Sequence, residues 1–110
     1  MNWTILKDEA GLQIIKEQSA LSPQVIYKHS TRCGISSMIR SRLERSDASR
    51  EIGFHFLDLI AYRSLSNKIA ADFFVEHESP QVLVIRNGEC VYDESHNGIS
   101  MEDIIAVSNQ

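Results

Sequence analysis

Cys33 and Cys90 are the two cysteines of this 110-residue chain, and the first closes a segment rich in groups that serve thiol chemistry: Lys28-His29-Ser30-Thr31-Arg32-Cys33-Gly34-Ile35-Ser36. An ordinary cysteine, with a pKa of about 8.5, is only a few per cent thiolate at neutral pH. The thiolate is the nucleophile, and a helix start or nearby cations favour it. Lys28, His29 and Arg32 bring positive charge to the segment. Ser36, three residues past the cysteine, is expected to direct its hydroxyl or amide towards the sulfur. The pattern is Cys-x-x-Ser, so a mixed disulfide formed on Cys33 finds no second thiol within its own turn. The competing structural role is a small buried hydrophobe at the start of a helix.

The elements that must position Cys33 follow from the pattern of apolar residues. Asp8 to about Ser19 is expected to be a helix capped by Asp8, with Ala10, Ile14 and Ile15 on one side. Gln24–His29 follows as a strand rich in β-formers. After the turn at Ser30–Gly34, Ile35, Met38, Ile39 and Leu43 recur at helical spacing, so Cys33 stands where a strand feeds a helix. Asp47 to Arg50 is a polar break. Gly53 to Ile60 is a second strand, with Phe54 and Phe56 on one face. A third helix capped by Ser64 or Ser66 buries Ile69, Ala70, Phe73 and Phe74.

Beyond Ser79-Pro80, the unbroken apolar run Val82–Ile85 fits a central strand covered on both faces. Asn87-Gly88 is a strong hairpin signal, and Glu89 to Asp93 returns as its partner. Ser100 caps a closing helix whose first turn carries acids. Pro80, entering a strand, suits a cis bond. The order α, βαβα, β-hairpin, α points to an α/β, thioredoxin-like fold, with an unrelated small α/β sandwich as the alternative: a four-stranded mixed sheet flanked by helices, with an extra N-terminal helix, is expected.

With Asn87-Gly88 as a two-residue turn, Arg86 faces Glu89, Ile85 faces Cys90 and Pro80 faces Ser95. Five residues along a strand, at ~3.3 Å each, separate Cys90 from Pro80 by roughly 16 Å, beyond the ~7 Å reach of a disulfide. Cys90 is therefore expected to be a packing residue, and the chemistry of Cys33 to be monothiol.

Composition narrows the function further. A chain with 43% apolar and 24% charged residues is globular in type, and 110 residues suit a single domain spanning 1–110. Two cysteines without a tight Cys/His cluster are too few for a disulfide scaffold or a structural zinc site. A net charge of −4 argues against a nucleic-acid partner. No apolar stretch approaches the ~18 residues of a membrane span, and no signal segment is visible, so a cytoplasmic location is expected.

Lys28-His29-Ser30-Thr31-Arg32-Cys33, Arg63-Ser64-Leu65-Ser66-Asn67, His77-Glu78-Ser79-Pro80-Gln81, Asn87-Gly88-Glu89 and Ser95-His96 together resemble the monothiol bacilliredoxin (YtxJ-like) family across nearly the whole chain. The resemblance implies a thioredoxin-like fold akin to glutaredoxins, Cys33 as the redox cysteine and Pro80 as a cis proline. It also implies no bound cofactor, bacillithiol as thiol co-substrate, and bacillithiolated proteins as clients. The malate carboxylates of bacillithiol require cationic or amide donors. Lys28, Arg32 and Arg63 are candidates, with Ser79 offering backbone bonds and His96 lining the same groove.

Gly34 departs from the family pattern, in which proline often follows the cysteine. Cys33-Gly34-Ile35-Ser36 also resembles the Cys-Gly-Phe-Ser site of monothiol glutaredoxins that carry a [2Fe–2S] cluster. Ile35 in place of Phe, and no Gly-Gly pair near Ser95–Gly98, count against that reading. A glutaredoxin-like arsenate reductase lacks its trio of arginines here. Zinc held by Cys33, His29 and His96 has no evident fourth ligand. A thioredoxin-like interaction domain without chemistry remains the alternative to an exchange protein.

Overall fold

The computed structural model describes residues 1–47 and 51–110; the end of the polar break expected at Asp47 to Arg50 lies outside them. Among the described residues five strands form one sheet: β1 (Thr4–Ile5), β2 (Gln24–His29), β3 (Gly53–Asp58), β4 (Gln81–Arg86) and β5 (Glu89–Ser95), in the order β1-β3-β2-β4-β5. β1 and β2 run parallel to β3, while β4 pairs antiparallel with both β2 and β5. The helices are α1 (Glu9–Gln18), α2 (Gly34–Glu44), α3 (Arg63–Phe73) and α4 (Met101–Ser108). The α/β thioredoxin-like architecture stands as expected, with one strand more than the four counted from sequence. β1 is two residues long and exposed on both, so it carries no alternation to read.

Alternation along β2 builds two cores. Val25 and Tyr27 join Phe54, Phe56, Val82 and Val84 of the sheet with Ile39 and Leu43 of α2 and Ile104 of α4. Ile26 joins Leu57, Leu83 and Ile85 with Leu12 and Ile15 of α1 and Leu65, Ile69 and Phe73 of α3. Both faces of β4 are thus covered, and Val82, Leu83, Val84 and Ile85 are fully buried, which explains their unbroken apolar run. Asp8 caps α1 by accepting the Gly11 N–H at 2.8 Å, and Ser100 caps α4 by accepting that of Asp103 at 3.2 Å.

Several expected positions shift. Ile14, Ile35 and Met38 face solvent instead of the core. β3 stops at Asp58, whose Oδ1 accepts the N–H groups of Ile60 and Ala61 and turns the chain. Neither Ser64 nor Ser66 caps α3: its N-cap is Tyr62, with no side-chain cap bond. Phe74 is 95% exposed instead of buried, because the helix ends there in the left-handed region (φ 57°) and swings the ring outward.

The Asn87-Gly88 turn has positive φ at both residues (53° and 77°), the twist that two-residue hairpins need. Ile85 faces Cys90 and Arg86 faces Glu89, as the turn requires. A bulge then slips the register by one residue, so Ser95 faces Gln81, and it is His96 that donates its N–H to the Pro80 carbonyl (3.0 Å).

Candidate functional site

Cys33 is the N-cap residue of α2, in extended backbone (φ −116°, ψ 116°), and its side chain makes no cap hydrogen bond. An oxygen at this position would accept the first helical amides. Here a half-buried thiol occupies it. No acid stands in the first turn of α2 to compete for the positive end of the helix. The approach from β2 is tied down by one residue, Ser30. Its carbonyl accepts the Cys33 N–H (3.2 Å), its Oγ accepts the Arg32 N–H (3.3 Å), and its own N–H donates to Ser36 Oγ (3.1 Å).

Ser36 is fully buried, and its hydroxyl meets the end of β2 and the turn before α2. Besides accepting from Ser30, its Oγ lies 2.9 Å from His29 Nδ1, while its carbonyl accepts the Tyr27 hydroxyl proton at 2.7 Å. Burial, reinforced by the Arg40 charge, holds the His29 imidazole below its ordinary pKa, so the ring is neutral at pH 7. The Ser36 hydroxyl is thus engaged by both His29 and Ser30. Burial also raises the Tyr27 phenol, which stays a donor. Phe56 covers the imidazole at a 5.0 Å ring separation and Arg40 lies 4.6 Å over Phe56. Tyr27 and His29 went unrecognised as parts of this latch because their partner is seven to nine residues away and meets them only when α2 folds back on β2.

Lys28 is not at the surface to meet a ligand. It is fully buried on the α3 face of β2, with Nζ 3.2 Å from the Ser66 carbonyl and 3.4 Å from His77 Nδ1. Burial pushes its ammonium down to about 8. Since the unfolded chain would hold that proton up to its ordinary value near 10.5, the charged form is penalised on folding. The penalty is complete below about pH 8 and disappears as pH rises past 10.5. Lys28→Met is therefore expected to stabilise the fold by about 1–2 kcal/mol at pH 7, the gain shrinking towards zero at high pH. Urea unfolding of both proteins at pH 7 and pH 10.5 checks the sign and the trend.

The remaining candidates divide. Arg32 and Arg63 are exposed, and Arg63 Nη1 approaches His77 Nε2 at 3.5 Å. The Ser79–Pro80 bond is cis, directly before Gln81, which pairs with Lys28 on the strand that feeds Cys33. Ser79 Oγ is buried and makes no hydrogen bond. His96 is half exposed and meets Glu78 at 3.3 Å. Pro80, His96 and the end of β2 thus share one edge of the molecule. Cys90 sits beside the hairpin turn at the other end, with its Sγ 3.3 Å from the Tyr92 carbonyl, and burial pushes its thiol up to about 11. A cleft of about 610 Å³ opens between the starts of α1 and α3; Arg63 lines it and Cys33 does not. Among the described residues no group of three or more His, Cys, Asp or Glu is placed to hold a metal ion.

Gly34 is the first helical residue of α2 and faces open space, with nothing within 4 Å of an added Cβ. Proline suits that first helical position, and the extended backbone of Cys33 is what a residue before proline adopts. Gly34→Pro is expected to raise stability by about 0.5–1 kcal/mol through the unfolded chain. A higher urea midpoint with unchanged slope checks it.

This arrangement of a mixed sheet, a helix-start cysteine and an adjoining cis-proline edge is that of the thioredoxin-fold thiol–disulfide oxidoreductases. A solved structure described as an oxidoreductase with a thioredoxin fold superposes with TM-score 0.80 at 28% identity, covering 96% of this chain and 92% of the other. The thioredoxin of Malassezia sympodialis (Mala s 13) superposes with TM-score 0.77 at 15% identity, over 99% and 90% of the two chains, and supports the fold. So does the long form of spinach chloroplast thioredoxin f, with TM-score 0.79 at 13% identity over 99% and 88%. The model of the family monothiol bacilliredoxin BrxC matches residues 4–104, and the chain belongs to that family. Its function is accordingly thiol–disulfide redox chemistry on thiol-containing proteins.

Proposed function

We propose that the protein removes bacillithiol from protein mixed disulfides by monothiol exchange at Cys33, as a single-domain protein of the cytoplasm. The Cys33 thiolate attacks the bacillithiol sulfur. A new Cys33–bacillithiol disulfide forms, the old disulfide breaks, and the client leaves as its thiolate. A free thiol then attacks the bacillithiol sulfur held on Cys33, carrying bacillithiol away as a small disulfide and restoring the Cys33 thiolate. No cofactor takes part.

The observation that carries this reading is the unequal placement of the thiols: Cys33 at an uncapped helix start, latched Ser36 where a second local thiol would resolve the adduct, and Cys90 at the far end of the sheet. Arg32, Arg63 and His96 are offered as polar contacts for the small thiol. Ser79, before the cis proline, offers backbone bonds to an extended chain.

The test is intact-mass analysis after exposure to oxidised bacillithiol and, separately, oxidised glutathione. One bacillithiol adduct on Cys33, absent from Cys33→Ser and reversed by added thiol, is expected. No bacillithiol adduct, or efficient exchange with glutathione alone, would overturn the assignment of the co-substrate.

A further inference from the structure

Gln81, opposite Lys28 in the ladder, is fully buried, yet only half of its side-chain amide is used. Its Nε2 donates to the Glu76 carbonyl at 2.9 Å, whereas its Oε1 is buried without a hydrogen-bond partner. Only the nitrogen end can donate to a carbonyl, so the orientation of the amide is fixed. Methionine would fill similar space without leaving an acceptor unpaired. The bond that glutamine makes does nothing for β4 itself. It reaches back five residues and ties the segment between α3 and β4 from the inside.

That segment is held at other points too. The Val75 N–H donates to the Ala70 carbonyl at 3.1 Å, the His77 ring meets the Ser66 hydroxyl at 3.3 Å, and the Pro80 carbonyl accepts the His96 N–H at 3.0 Å. Ser79 is the exception. Among the described residues nothing hydrogen-bonds its backbone N–H or C=O, and its hydroxyl is turned inward and buried. Its free peptide groups lie just before Gln81, at the edge where β2 leads on to Cys33.

We propose that Gln81 is a positioning residue for client recognition: its bond to Glu76 holds the Glu76–Ser79 segment so that the free Ser79 backbone is ready to pair with an extended client chain. The proposal rests on the exchange function above and deepens it, since it separates recognition of the client's chain from recognition of the small thiol. Gln81 touches neither. Backbone groups ordered beforehand pair with an incoming strand at lower entropic cost than groups ordered on binding. A small disulfide without flanking peptide groups gains nothing from that order.

The test compares two disulfides of bacillithiol, one with the cysteine of a short unstructured peptide and one with 2-mercaptoethanol. In Gln81→Met the exchange rate constant for the peptide disulfide is expected to fall about tenfold, while the mercaptoethanol disulfide reacts within about twofold of the parent rate. Gln81→Leu, of different shape and equally without a donor, should do the same. Amide hydrogen exchange of the reduced proteins gives a reading that involves no disulfide: the amides of His77, Glu78 and Ser79 are expected to exchange about tenfold faster in both variants, with those of β2 unchanged. Equal losses with both disulfides, an undiminished peptide rate, or unchanged segment amides would each overturn the role of Gln81. Failure of the exchange reading shows in the parent instead: a parent inert to both disulfides would overturn that reading and, with it, the client role of Gln81.

Discussion

Cys33→Ser is expected to abolish exchange with mixed disulfides, a loss of more than about a thousandfold, while Cys90→Ser retains the parent rate within about twofold. The asymmetry comes from placement, since the chain offers two thiols of identical chemistry. Cys33 is half-buried at the start of α2, where first-turn amides and the helix dipole meet an approaching sulfur and the first turn holds no carboxylate. Serine keeps the shape but has no comparably accessible anion, so neither attack nor adduct formation survives. Cys90 faces Ile85 beside the hairpin turn and lies 3.3 Å from the Tyr92 carbonyl. With its thiol near 11, it is about one part in ten thousand thiolate at pH 7. Exchange rates of both variants with a fluorescent mixed disulfide check this directly. A Cys90→Ser loss comparable to that of Cys33→Ser would show the second thiol in the reaction.

Ser36→Ala carries the next largest effect. The substitution removes the acceptor of the Ser30 N–H and the partner of His29 Nδ1, both inside the protein. Buried polar groups left unpaired cost ~1–3 kcal/mol each, so a loss of about 2–4 kcal/mol in stability is expected. The functional consequence follows from the same bonds. Ser30 orients Cys33 through its carbonyl and Arg32 through its hydroxyl, and once its own amide is untied the turn before the helix loosens. Exchange at Cys33 is expected to fall about tenfold, less than the ~100-fold that a full ~1 Å displacement of a reacting atom can cost. Ser36→Thr, which keeps the hydroxyl, is expected to recover most of the rate. Urea unfolding together with exchange rates separates the two effects: equal rates in all three proteins would show that the latch serves stability only.

The parts of the fold legible in the sequence are those set by neighbours along the chain. Asp8 and Ser100 cap as residues of their type do, Asn87-Gly88 turns as its φ preferences dictate, and Val82–Ile85 is apolar throughout because two helical layers cover it. Cys33 at a strand-to-helix junction was legible for the same reason.

What escaped depends on contacts between distant segments. Lys28 reads as a surface cation by type, yet alternation along β2 turns it under α3. Ser36 reads as facing the cysteine in its own turn, yet His29 and Ser30 claim its hydroxyl. The bulge that gives Pro80 to His96 instead of Ser95 leaves no mark in residue type, because β5 is exposed along one face and tolerates the slip. Phe74 shows the limit of apolar periodicity: it continues the stripe of α3 in sequence while the backbone has already left the helix.

The monothiol character of the site is tested most directly by loading Cys33 with bacillithiol, removing all free thiol, and following the intact mass with time. The adduct is expected to persist as a single species and to disappear only when thiol is added, returning the fully reduced chain. Spontaneous loss of the adduct, leaving a chain two hydrogens lighter with Cys33 joined to Cys90, would contradict it.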